Sequence, residues 1–262
     1  MEWQAPAVVL EARPHGEGGA IITLLTEAEG RHAGLAKGGA SRAQAAIWQP
    51  GNLVEARWVA RLADQLGALT GELVHPAAAL AMDEPLALAL LASACAVAAG
   101  ALPERQPHPE AFRGLVSLIG RLPRGAAALL PAYIRWEGAL LAELGYGLDL
   151  ASCAATGTTQ DLAYVSPRTG RAVSAEAGAP WAPRLLPLPG FLLRPERPGT
   201  DDASGPADWL AGLRLTGHFL ARDAFGQQHR RLPNARLLLQ DRVGALATSP
   251  AAGPVGTGPI DL

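Results

Sequence analysis

Between residues 52 and 61, Leu53, Glu55, Arg57 and Val59 alternate with Val54, Ala56, Trp58 and Ala60. A period of two places the two sets on opposite faces of a strand, one largely polar and the other apolar. Four more short apolar-rich runs share the first 75 residues: AVVLEAR (7–13), AIITLLT (20–26), RHAGLAK (31–37) and LGALTGELV (66–74). The breaks between them carry turn chemistry, PHGEGG, EAEG, GGASR and QPGN. Five short strands in so small a unit suit a closed barrel better than an open sheet.

After His75 and Pro76 the period changes. Asp83, Glu84 and Pro85 form a helix start, with a capping carboxylate and proline in the first turn. The apolar run that follows reaches Ala99 and stops at Gly100. Further helices are expected over 110–121 and 126–144. In the second, Leu130, Tyr133, Ile134, Glu137, Leu141 and Leu144 recur at helical spacing, and Gly145 suits the C-terminal cap. The stretch CAATGTTQDLAYVSPRTGRAVS has the turn spacing of a small hairpin module. RPERPGTDDASGPAD reads as a linker, and helical patterning returns at 207–222 and 234–246. The expected units are a barrel at 1–76, a helical domain at 77–147 and a hairpin insertion at 148–193. A linker at 194–206, C-terminal helices packing on the helical domain at 207–246 and a disordered tail at 247–262 complete the chain.

Composition narrows the function. The formal net charge of 262 residues is −2, so the whole chain is no bulk polycation and nucleic-acid binding would need a local patch. Of 22 basic residues one alone is lysine, Lys37, in GLAKGGASR. The ten N-terminal residues lack the basic region of a signal peptide. No apolar run reaches the roughly 18 residues that span a bilayer, and the longest, 86–102, is alanine-rich and reads as a buried helix. The reading is a soluble, cytoplasmic protein with its two cysteines, Cys95 and Cys153, reduced. No phosphate-binding Gly-Lys-Ser/Thr loop and no Gly-x-Ser-x-Gly elbow occur, and HGEGGA reads as a hairpin. The six histidines are scattered. Nothing in the pattern suggests an enzyme or calls for a cofactor.

The stretch VVLEARPHGEGGAIITLLTEAEGRHAGLAKGGASRAQAAIWQPGNLVEARW resembles the start of the RecO family of bacterial recombination mediators. AYIRWEGALLAELGYGLDLASCAATG, AYVSPRTGRAV, RLLPLPGFL and LRLTGHFLAR continue the likeness in the family's order, over roughly residues 5–240. The resemblance implies an α+β chain: a five-stranded OB-fold barrel, then a helical domain with a small zinc-ribbon-like insertion. It implies no bond chemistry. Family members bind and anneal single-stranded DNA, contact single-strand-binding protein, and with RecR help load RecA.

Such a barrel offers a groove for one backbone, lined by cations and stacking side chains. The candidate DNA contacts are Lys37 and Arg42, flanking a Gly-Gly turn, with Arg31, Arg57 and Arg61 on or beside neighbouring strands. Trp48 and Trp58 are candidate stacking or core residues. Residues 1–75 carry six basic and eight acidic side chains, which keeps open an adaptor with weak DNA binding. Zinc-binding relatives place two Cys-x-x-Cys pairs in the insertion. Here Cys153 is followed by Thr156, and SPRTG has no cysteine, so a metal-less insertion is expected. For the acidic tail of single-strand-binding protein, FRGLVSLIGRLPRG offers Phe112, Leu115 and Leu118 as an apolar wall and Arg121 and Arg124 as cations at its rim.

Overall fold

The structure, a computed structural model, describes residues 1–62, 65–194 and 204–248. Most of the expected linker and nearly all of the expected tail lie outside these residues.

Five strands open the chain: β1 (Glu2–His15), β2 (Gly19–Thr26), β3 (Gly30–Ala36), β4 (Leu53–Val59) and β5 (Gly67–His75). They pair in the order β1-β2-β3-β5-β4 and return to β1, a closed ring. All contacts are antiparallel except the short parallel join of β3 and β5 at Gly34–Gly67 and Leu35–Ala68. The alternation read in β4 is realised: Val54, Ala56 and Trp58 are buried while Arg57 and Val59 face out. Trp58 lies where β3 meets β5. A Cβ on Gly67 would stand 2.3 Å from its ring, so only glycine lets that indole fill the seam.

A helix that the strand pattern did not announce, α1 (Arg42–Ile47), follows β3. Its signal was Ser41, whose side chain caps the Gln44 amide. Trp48 ends the helix inside the barrel, buried with Val9, Ile22, Leu24 and Val54. Both tryptophans offered as stacking candidates, Trp48 and Trp58, therefore belong to the core.

The short α2 (Ala77–Leu80) leads to α3 (Pro85–Ala101), α4 (Pro109–Gly120) and α5 (Ala126–Glu143). A three-stranded sheet of β6 (Leu162–Val165), β7 (Ala172–Ser174) and β8 (Leu186–Pro187) follows, with α6 (Ala175–Gly178) after β7. Helices α7 (Pro206–Phe219) and α8 (Asn234–Thr248) return to pack on α5 and α3. One apolar core joins all of these to the outside of the barrel. It takes in Val8, Leu10 and Leu25 from the strands, Leu115 and Tyr133 from the helices, and Cys153 and Val165 from the insertion.

A polar network crosses this core. Glu137 is fully buried and receives Arg236 Nε at 2.5 Å, the Tyr133 hydroxyl at 2.6 Å and the Thr216 hydroxyl. Ser93 extends it to α3 through Tyr133, at 2.7 Å. The carboxylate that fell on the apolar stripe of α5 is thus matched by an arginine from α8.

Candidate nucleic-acid interface

Lys37 follows β3 and enters a tight turn in which Gly38 takes φ 68°, a region that suits glycine. The Gly39 amide bonds back to Ala36 O, and the Ala40 amide to Gly18 O in the β1-β2 hairpin. The turn therefore rests on the hairpin loop, with Lys37 and Arg42 both exposed on either side of it. Arg42 sits at the start of α1, where the helix dipole does not favour a cation, so the helix gains nothing from its charge. Arg13, exposed on β1 and bridged to Glu11 at 3.1 Å, lies across Ile21 from Leu35, two residues before Lys37. Sequence reasoning did not single it out.

The other three candidates have surroundings of their own. Arg57 and Arg61 lie on and just after β4, where β1 begins beside the end of β4 and β5 links β4 to β3. Across the β3-β5 seam they are not far from Lys37: Leu35, two residues before Lys37, pairs with Ala68, and Ala68 pairs with Val59, two residues after Arg57. Arg57 is held by Glu2 at 2.6 Å, and its outward neighbours in register include Gln4 and Thr70, with Glu55 and Glu72 one pair further on. That face is acidic rather than basic. Arg31 is a correction of a different kind. Its Nε donates to Leu102 O at 2.8 Å, its Nη1 meets Glu104 at 3.3 Å, and its carbonyl accepts from the Arg105 amide. Burial pulls its pKa below the ordinary arginine value, against the pull of Glu104. Arg31 is a clasp between barrel and helical domain, because the segment after α3 runs along the part of β3 that β5 leaves unpaired.

Beside that clasp, Trp3 pairs directly with Trp58 in register, and their rings stack at 6.1 Å and 9°. His32 stands edge-on to both, at 5.4 and 5.3 Å. Burial lowers the His32 pKa, and its Nδ1 donates to Glu29 O at 2.9 Å. The in-phase tryptophans of two neighbouring strands were the sequence signal for this cluster.

The expected tail-binding wall is also corrected. Leu115 and Leu118 are buried, and Phe112 nearly so, because α4 turns its apolar stripe onto α5, where Trp136 Nε1 bonds to Ala111 O at 3.0 Å. Arg121 and Arg124 follow at the end of α4 with no exposed wall of those leucines beside them. Phe112 alone lines a surface groove, of about 470 Å³, with Ala5, Pro6, Glu27, Ala28 and Pro109.

In the insertion, Cys153 accepts from the Ser174 amide at 3.3 Å and the Ser174 hydroxyl at 3.4 Å. Enclosure opposes its charge, yet the donors of Ser174 and Thr156 bring the thiol down to about 6. Among the described residues no group of three or more His, Cys, Asp or Glu is placed to hold a metal ion, and no helix is long and apolar enough to cross a membrane.

The pattern described as "Recombination protein O N terminal" matches residues 1–77, and "Recombination protein O C terminal" matches residues 82–233. The chain belongs to the RecO family. RecO relatives are similar over nearly their whole length. DNA repair protein RecO of Granulibacter bethesdensis is 58% identical over 246 residues, 94% of this chain and 97% of its own. The protein of the same name from Gluconacetobacter diazotrophicus is 58% identical over 250 residues, 94% and 96% of the two chains. That of Caulobacter vibrioides is 50% identical over 244 residues, 93% and 98%. The RecO likeness thus runs through barrel, helices and insertion alike.

Proposed function

We propose that this chain acts in DNA repair and recombination by binding single-stranded DNA on its N-terminal barrel, which we read as an OB-fold. The observation that carries the proposal is the Lys37 turn. Two exposed cations flank a glycine turn that rests on the β1-β2 hairpin, at the rim of a five-stranded ring. Glycines let a phosphate approach the backbone, and two long cations reach it. Annealing of complementary strands follows from holding a strand by its backbone with its bases free. No bond chemistry is required. Work with RecR, contact with the tail of single-strand-binding protein, and loading of RecA come to this chain from its family membership.

The test is an anisotropy titration with a labelled oligonucleotide at several salt concentrations. Wild type should lose affinity steeply as salt rises. Lys37→Glu with Arg42→Glu should bind more weakly, with a salt slope smaller by about 1.4 units. Both positions are exposed, so stability should change by no more than about 0.5 kcal/mol each. Unchanged affinity and slope would remove the Lys37 turn from the interface.

A second reading is a protein–protein adaptor with weak intrinsic DNA binding. It is favoured by the acidic face of β1, β4 and β5, where Glu2, Glu55 and Glu72 lie around Arg57. Salt-insensitive or absent oligonucleotide binding by the wild type would select it.

A further inference from the structure

At the start of β3, a pocket of about 360 Å³ opens between the start of β1, the end of β4 and the segment after α3. Met1, Glu2, Trp3, Glu29, His32, Trp58 and Arg105 line it. We propose that this pocket takes one unstacked base of a bound single strand. The inference rests on the single-strand reading above and adds to it a second contact point, separate from the Lys37 turn.

The first support is the wall. Trp58 is buried and fixed, with Nε1 bonded to Ala33 O at 3.1 Å. Trp3 stacks on it and is only half-buried, so the pair presents an aromatic surface on a rigid backing. The rings are already in contact, so a base does not insert between them and stacks against Trp3. Base–aromatic stacking accepts any of the four bases, which suits a protein that must follow arbitrary sequence.

The second support is the set of polar groups. His32 spends its Nδ1 proton on Glu29 O, which leaves Nε2 as an acceptor. Burial lowers the pKa of this ring, so it stays neutral at neutral pH. Trp3 Nε1 is buried with no acceptor among the described residues, and such a donor calls for a partner. The Glu29 carboxylate and the Arg105 guanidinium add an acceptor and a donor to the lining. A base edge displays donors and acceptors side by side, which this mixed lining can match and a purely apolar side chain cannot.

The third support is the route for the backbone. Arg105 is exposed and held at φ 58°, an uncommon conformation for arginine that persists only where the surroundings impose it. Its amide is tied to Arg31 O, and its Nη2 lies 3.4 Å from Gln65 O in the β4-β5 loop. That loop also carries Arg61, which is exposed. Two cations thus stand near the mouth of the pocket, where the phosphates flanking a captured base would pass. From His32 in the pocket to Lys37 is five residues along the chain, roughly 16 Å in an extended strand, a reach of a few nucleotides.

The test uses the full chain and an oligonucleotide carrying 2-aminopurine at one position. The fluorescence of this base falls when it stacks on an aromatic ring. Wild type should quench it on binding. Trp3→Ala should lose most of that quenching and bind on the order of tenfold more weakly, with the salt slope unchanged. Trp3→Phe, which keeps a ring, should restore part of both and reports on whether loss of the indole merely disturbed the barrel. An oligonucleotide with an abasic gap at the same position should lose affinity for wild type and not for Trp3→Ala. If the oligonucleotide binds and Trp3→Ala quenches as wild type does, the pocket is not the base site while the single-strand reading stands. If wild type binds no oligonucleotide at low salt, both fall together.

Discussion

Glu137 and Arg236 are 99 residues apart in the chain, and neither side chain is reached by solvent. Burial works against the Arg236 charge, but Glu137 and Tyr133 together outweigh it and keep the guanidinium above its ordinary pKa. Burial, with Glu137 beside it, also pushes the Tyr133 hydroxyl well up, so it remains a donor at any working pH. Removing one partner strands the other charge. Arg236→Ala should therefore lower stability by about 3–5 kcal/mol, read by urea denaturation. Arg236→Met with Glu137→Leu should cost far less, because no charge is left buried. His32 makes a pH prediction. Its folded pKa is depressed by burial below the ordinary value of about 6.5. The unfolded chain therefore takes up the proton first as pH falls. The contribution of His32 to stability is complete above about 6.5 and is lost as pH drops through its lower folded pKa. Denaturation midpoints between pH 7 and 5 should fall more steeply for wild type than for His32→Gln.

Local pattern made the elements legible but not what each one faces. In β4 the alternation of Val54, Ala56 and Trp58 with Arg57 and Val59 was enough to orient the strand. In α4 the spacing of Phe112, Leu115 and Leu118 announced a helix with one apolar stripe. An apolar stripe built to pack on a neighbour and one built to receive a peptide have the same spacing, and only Trp136 and Ala111 show that this one packs inward. The insertion teaches the converse. Its hairpin turn spacing was readable, and the sequence also shows a single cysteine, Cys153, in this segment. What holds Cys153 was not readable, because Ser174 lies 21 residues further on. Ser174→Ala should raise the Cys153 thiol above about 6, measured from thiolate absorbance against pH. Elemental analysis of the purified protein should find no stoichiometric zinc, since one thiolate does not supply a tetrahedral site.

Barrel and helical domain are joined by contacts from both sides. Arg31 reaches Leu102 and Glu104, and Arg113 on α4 reaches Glu27 of the barrel. Arg31→Ala should destabilise the chain by about 1–3 kcal/mol, since a charged donor to a buried-side carbonyl is lost. It should also leave the salt slope of oligonucleotide binding unchanged, because the guanidinium is already engaged. A drop in that slope would restore Arg31 to the DNA path. The amino-acid sequence by itself determined the main strands and helices and their order, though not α1 or β8, the unit that forms a ring, and membership in the RecO family. Those properties live in local periodicity, turn residues and motif order. The tertiary structure alone decided which cations are free, which aromatic rings meet, and which carboxylate is matched inside the core. The reason is that a charge or a ring takes its role from its partners. The partners of Arg31, Trp3 and Glu137 lie 71, 55 and 99 residues away, farther than any local pattern along a chain reaches.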